Sequence, residues 1–154
     1  MIFASLGTMN RAFTRMAKAV DEYASTISDR VIVQSGYTQY PYKYATAFDF
    51  CTRNEMQRYM QDAEILILQG GWGAISEAME NQKKIVVIPR YNGVEHIHDQ
   101  FQIVRKLDAL GCVVGVFDEK DLPELMEKAK TFEFKQLKKG NAENLIRTKL
   151  EKWL

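Results

Sequence analysis

The residues best suited to chemistry are Gln69-Gly70-Gly71-Trp72-Gly73-Ala74-Ile75-Ser76-Glu77. They follow the apolar run Ile65-Leu66-Ile67-Leu68, and a helical pattern starts directly after the glycines. That order brings a strand's carboxyl end, a loop of little bulk and a helix N-terminus to one point. Backbone N–H groups and the positive end of the helix dipole then face one small volume, which suits a phosphate or diphosphate. Gly70, Gly71 and Gly73 let a bulky anion reach the backbone and permit positive φ where the turn needs it. Glu77, in about the first turn of the helix, is within reach of ribose hydroxyls attached to that anion. The same residues also fit a plain strand-to-helix turn with Glu77 complementing the dipole, because glycine-rich turns of this kind are common. The rest of the chain has to decide between the two.

Other candidates are more scattered. Gly7-Thr8 closes a first apolar run and forms a second turn of small and hydroxyl residues. His96 and His98 lie in the rim loop, and His96 is the candidate general base, although loop histidines are more often hydrogen-bonded or solvated. Asp99 could meet a ligand or simply cap the next helix. Cys51 and Cys112 are far apart in apolar contexts and read as reduced, buried thiols, with no partners for a metal.

The elements that position these residues follow from hydrophobic period. Strands are expected over 2–6, 30–34, 45–51, 65–68, 84–89 and 113–117. The 84–89 run is continuously apolar and β-branched, as in a strand buried on both faces. Phe13, Met16, Ala17, Val20, Tyr23 and Ile27 keep a 3.6-residue period, with Asn10 as the expected N-cap. Thr52-Arg53-Asn54-Glu55 reads as a capping box opening a helix to Asp62. The helix after the glycine turn ends near Asn81-Gln82. Another begins at Asp99, with Phe101, Val104, Leu107 and Leu110 inward and Gly111 as its C′ residue. A further helix runs from Leu122 to about Lys130. Residues 37–44 form a tyrosine-rich loop that could stack on a sugar, meet a partner or be plain surface. Residues 131–140 are lysine-rich, and 141–154 form an amphipathic helix with Leu145, Ile146, Leu150, Trp153 and Leu154 on one side.

Such alternation predicts one α/β domain over residues 1–154, a Rossmann-like doubly wound parallel sheet with helices on both faces. Ligands of such sheets sit beyond the carboxyl ends of the strands. The turns at 7–8, 50–53, 70–73 and 90–100 all fall there, so a bound nucleotide is the natural expectation. With 154 residues, 46% hydrophobic, 27% charged and a net charge of +1, the chain has no electrostatic footprint for nucleic acid. No apolar run approaches the roughly 20 residues of a membrane span. Met1 leads directly into a strand without a signal peptide, so the cytoplasm is the expected compartment.

The run from Ala63 through Glu77 resembles the signature of the C-terminal half of family 28 glycosyltransferases. That group includes MurG and two-subunit enzymes that elongate lipid-linked sugars. The resemblance continues through Lys84-Ile85-Val86-Val87-Ile88-Pro89-Arg90, Glu95-His96-Ile97-His98-Asp99-Gln100 and residues 107–111. It is strongest to the short, free-standing donor subunit of bacterial exopolysaccharide and capsule enzymes. This likeness implies the C-terminal half of a GT-B fold, binding a UDP-sugar. It implies that the N–H groups of Gly71, Trp72, Gly73, Ala74 and Ile75 face the diphosphate and that Glu77 holds the ribose hydroxyls. It places Gly7 and Thr8 on the opposite side of the phosphates, Phe50 to Arg53 along the uracil edge, and Asp99 and Gln100 on hydroxyls of the transferred sugar. Relatives often carry His-Gln where this chain has Asp99-Gln100, and a small residue where it has Trp72, so the sugar's identity stays open.

The implied reaction is an inverting transfer of a hexose or N-acetylhexosamine to a polyprenyl-diphosphate-linked saccharide. The resemblance further implies a membrane-anchored acceptor-binding partner subunit, which holds this chain at the inner face of the membrane. No metal or other cofactor is expected, because the helix dipole and N–H donors can stabilise the departing UDP and the chain has no Asp-x-Asp motif. A non-catalytic nucleotide-sugar-sensing or scaffold subunit is the alternative. A Rossmann oxidoreductase is disfavoured because no Gly-x-Gly-x-x-Gly follows the first strand.

Overall fold

Strands that are apolar at every position are stable only where both of their faces are covered, and the sheet is built that way. A computed structural model describes residues 1–137 and 140. In chain order its elements are β1 (Ile2–Ser5), α1 (Thr14–Ala24), β2 (Val31–Gln34), β3 (Thr46–Phe48), α2 (Arg53–Asp62), β4 (Ile65–Gln69), α3 (Trp72–Glu80), β5 (Lys84–Ile88), α4 (Gln100–Ala109), β6 (Val114–Gly115) and α5 (Leu122–Thr131). The six strands pair in parallel in the order β3-β2-β1-β4-β5-β6. The expected lysine-rich stretch is partly described, and residues 132–137 carry no regular structure. The expected C-terminal helix lies outside the described residues.

Alternate residues of each strand feed two separate cores, as the period of two requires. Ala4, Leu6, Val33, Ile67, Val86 and Ile88 pack under α1 and α5 with Phe13, Met16, Val20, Leu122 and Met126. Phe3, Leu66, Leu68, Ile85 and Val87 pack under α2, α3 and α4 with Ile75, Met79, Val104 and Leu107. A stack of Phe3, Phe48 and Tyr59 closes the β3 edge of this second core.

Local signals place most helix ends. Thr52 and Glu55 form the expected capping box of α2. Gly111 has φ +73° at the end of α4, where its N–H bonds to Asp108 O and Cys112 N–H to Leu107 O, a Schellman closure. Three expectations are corrected. Leu110, expected inward, is 40% exposed, because α4 ends one residue earlier and the closure turns it outward. The last strand shortens from 113–117 to Val114–Gly115. Asn10 is not the cap of α1: the helix starts at Thr14, and the N–H of Phe13 donates to Thr38 Oγ1 at 2.9 Å, an acceptor from the loop after β2.

The tyrosine-rich loop is tied down by one buried carboxylate. Asp21 of α1 accepts the backbone N–H groups of Lys43 (3.0 Å), Tyr44 (2.9 Å) and Ala45 (2.9 Å). Tyr40 and Tyr42 pack against the core below it, leaving Tyr37 and Tyr44 exposed. Burial alone would raise the Asp21 carboxyl, but the three N–H donors outweigh it and hold its pKa below the usual value. A depressed native pKa adds stability that is complete above the unfolded value of about 3.9 and fades as pH falls through the native one. Asp21→Ala is therefore expected to cost about 2 kcal/mol at neutral pH by leaving buried donors unmet. In urea titrations the gap between wild type and variant should close as the pH drops below about 4.

Candidate functional site

Because β1 lies between β2 and β4, the chain leaves β1 toward one edge of the sheet and later continues from β4 toward the other. The carboxyl ends of β1 and β4 therefore diverge into a crevice, the place where doubly wound sheets bind ligands. On one side lies Gly7-Thr8, with Gly7 at φ +85° and Thr8 exposed. On the other lies the turn from Gln69 into α3.

That turn differs in detail from expectation. Gly70, Gly71 and Gly73 are not among the positive-φ residues. Gly70 and Gly71 are required by packing instead. A methyl at Gly71 would lie 2.1 Å from Gln69 Nε2, and one at Gly70 would lie 2.8 Å from Gln100 Cβ and Oε1. Gly73 faces open space. Two of the five expected N–H donors are also committed: Gly71 N–H bonds to Gln69 O at 2.8 Å and Ile75 N–H to Gly71 O at 3.3 Å. The N–H groups of Trp72, Gly73 and Ala74 meet no acceptor among the described residues, and no side chain caps the helix. This is an open helix N-terminus at the crevice, with Trp72 beside it 48% exposed.

Gln100 stands behind the turn rather than on it. It is 3% exposed. Its Oε1 accepts from Gly70 N–H at 3.0 Å and Arg90 N–H at 2.9 Å, and its Nε2 donates to Gln69 Oε1 at 2.6 Å. Asp99, exposed at the same helix start, caps α4 by accepting from Phe101 N–H at 2.9 Å. Thr8, Phe50 and Arg53 share a hollow of about 180 Å³ with Gln34, Cys51, Thr52 and Met56. Cys51 is thus half-buried at the rim rather than in the core, while Cys112 is buried as expected. Glu77 lies in the second turn of α3, half-buried, accepting from Gln57 Nε2 at 3.4 Å.

His96 is tied into its own loop. Its Nδ1 accepts from His98 N–H at 2.9 Å, which places the neutral ring's proton on Nε2 and makes the outer nitrogen a donor. Burial holds its pKa below the ordinary histidine value, so the ring stays neutral at neutral pH.

A buried charge network braces the rim, and sequence reasoning passed over it. The Arg90 side chain is 1% exposed. Its Nη2 donates to Leu6 O at 2.6 Å, and its Nη1 to Arg11 O at 2.9 Å and Glu95 O at 3.1 Å. It therefore ties the end of β1 and the approach to α1 to the loop after β5. Arg15 of α1 grips Glu95 with Nε (2.9 Å) and Nη2 (2.8 Å), bonds Pro89 O and Glu119, and lies over the Tyr91 ring. Burial pushes the Arg90 guanidinium down to about 10, with Glu95 opposing, so it remains charged at neutral pH. Arg90 directly follows the β5 run, and its only signal in the sequence is a charge set immediately after a buried strand. Arg90→Met is expected to cost about 3 kcal/mol by leaving buried carbonyls unmet. That is a fall in Tm of roughly 6–12 °C, and Arg90→Lys should recover only part of it, because an ammonium lacks the fork.

The sheet order, with an open helix N-terminus at its switch point, defines a doubly wound α/β domain. Residues 8–152 match the glycosyltransferase family 28 C-terminal domain, and the chain belongs to that family. No curated protein matches the chain. Among solved structures it is similar to the glycotransferase of kitacinnamycin, with TM-score 0.64 and 16% identity over 84% of this chain and 34% of that one. It is also similar to Acinetobacter baumannii MurG, with TM-score 0.52 and 16% identity over 82% of this chain and 40% of that one. The chain thus spans between a third and two fifths of those structures, and its fold is that of the C-terminal half of a GT-B glycosyltransferase.

Proposed function

We propose that this domain binds the donor of an inverting glycosyl transfer, a UDP-sugar. The carrying observation is the open start of α3, where the N–H groups of Trp72, Gly73 and Ala74 face the β1/β4 crevice without an acceptor among the described residues. In this reading they hold the diphosphate, with Gly7 and Thr8 opposite. The uracil lies along the hollow at Phe50 and Arg53, Glu77 accepts from the ribose hydroxyls, and Asp99 meets the sugar.

During transfer an acceptor hydroxyl oxygen bonds to the anomeric carbon as the bond from that carbon to the β-phosphate oxygen breaks, and UDP leaves with the electron pair. Negative charge grows on the diphosphate, so fixed N–H donors and the helix dipole stabilise the transition state more than the ground state. In this reading the proton of the acceptor hydroxyl passes to a base of the acceptor-binding body.

The acceptor site is supplied by a second body, in this reading a membrane-anchored partner subunit holding a polyprenyl-diphosphate-linked saccharide for exopolysaccharide or capsule synthesis. Tyr37, Phe50, Trp72, Tyr91, Val94 and Ile97 all expose apolar surface on the carboxyl-end loops, as suits a face that another body covers. Calorimetric titration with UDP, ADP and GDP tests the donor site. UDP should bind selectively, and Glu77→Ala should weaken it at least tenfold by removing a charge-assisted acceptor. Indifference among the three nucleotides would refute the reading. Efficient sugar transfer by the purified chain alone would refute the need for a partner.

A further inference from the structure

We propose that Gln69 is a ligand-binding residue for the anion and that Gln100 is a positioning residue acting through it. This rests on the donor-site reading above and assigns the polarity of one contact within it.

The constraint on these two amides begins at the backbone. Gln100 Oε1 accepts two backbone N–H groups, those of Gly70 and Arg90, and only a carbonyl oxygen can occupy that position. Its amide orientation is therefore dictated by fixed donors. The other end of the amide is an NH₂, and it meets the Gln69 side chain at 2.6 Å. The atom of Gln69 facing it must accept, so it is Oε1, and the Gln69 NH₂ must point the other way. That NH₂ lies between the two turns of the crevice, where methyls built at Gly71 and Gly7 would stand 2.1 and 3.2 Å from Nε2. Among the described residues no acceptor meets it.

Two backbone donors thus set one amide, which sets a second, and the second presents its N–H groups where Gly7 and the start of α3 converge. A neutral donor locked in this way needs no reorganisation when an anion arrives.

The test reverses the relay. In Gln100→Glu a carboxylate still accepts from Gly70 and Arg90 but cannot donate, so Gln69 turns its NH₂ inward and its carbonyl toward the anion. UDP affinity should fall roughly tenfold in Gln100→Glu and by a similar factor in Gln69→Leu, the worth of one charge-assisted hydrogen bond. Uridine, which has no phosphate, should bind all three proteins alike. The double variant should bind UDP no more weakly than Gln69→Leu alone. Melting curves of each variant report whether the fold is kept. Unchanged UDP affinity in Gln100→Glu, or losses that add in the double variant, would overturn the relay and leave the donor site standing. Failure of the wild type to bind UDP would overturn the donor site and Gln69's role together.

Discussion

Covering a parallel sheet on both faces is the constraint from which the rest follows. The interior of β1, β4 and β5 has no free polar group and no exposed side chain, so these strands can contribute to function only at their ends. Placing β1 between β2 and β4 then separates two carboxyl ends that would otherwise be bridged by one connection. What is left between them is unpaired backbone from α3 and a loop after β1. The crevice is a product of topology before any side chain is considered.

Holding such a crevice open requires its walls to be fixed, and two glutamines and an arginine do so from behind. Gln34 receives Ser5 Oγ at 2.8 Å and donates to Asp49 O at 2.9 Å, joining the ends of β1 and β2 to the turn after β3. Gln100 joins the ends of β4 and β5, and Arg90 joins the end of β1 to the loop after β5. Amides suit this work because each donates and accepts without carrying charge. The charge of Arg90 is the exception, and the Glu95 carboxylate nearby opposes the cost of burying it.

The elements were legible because their signals are local. Apolar runs marked the strands, Thr52 and Glu55 marked the start of α2, and Gly111 marked the end of α4. The rim was legible too, since strand–helix alternation and glycine turns suffice to find the carboxyl ends of the strands. What stayed hidden depends on residues distant in sequence. Thr38 caps α1 from 25 residues away, and no window around Asn10 contains that information. Arg90 reads as a loop residue until Leu6 and Arg11 are seen beside it. Gln69 and Gln100, one read as part of the glycine turn and the other as a sugar contact, acquire a shared role only in three dimensions.

The two adjacent glycines have a meaning for how this surface can change over generations. Neither Gly70 nor Gly71 has a backbone conformation closed to other residues, so by torsion angles alone both could be replaced. Each is instead held by the side chain lodged against it, Gln100 for Gly70 and Gln69 for Gly71. Tolerance at one position is therefore conditional on its neighbour. A lineage that shortens residue 69 frees residue 71 to vary, and one that keeps the glutamine forbids it. Substitutions here are expected to travel in pairs, 69 with 71 and 70 with 100, an epistasis written by shape rather than by backbone strain.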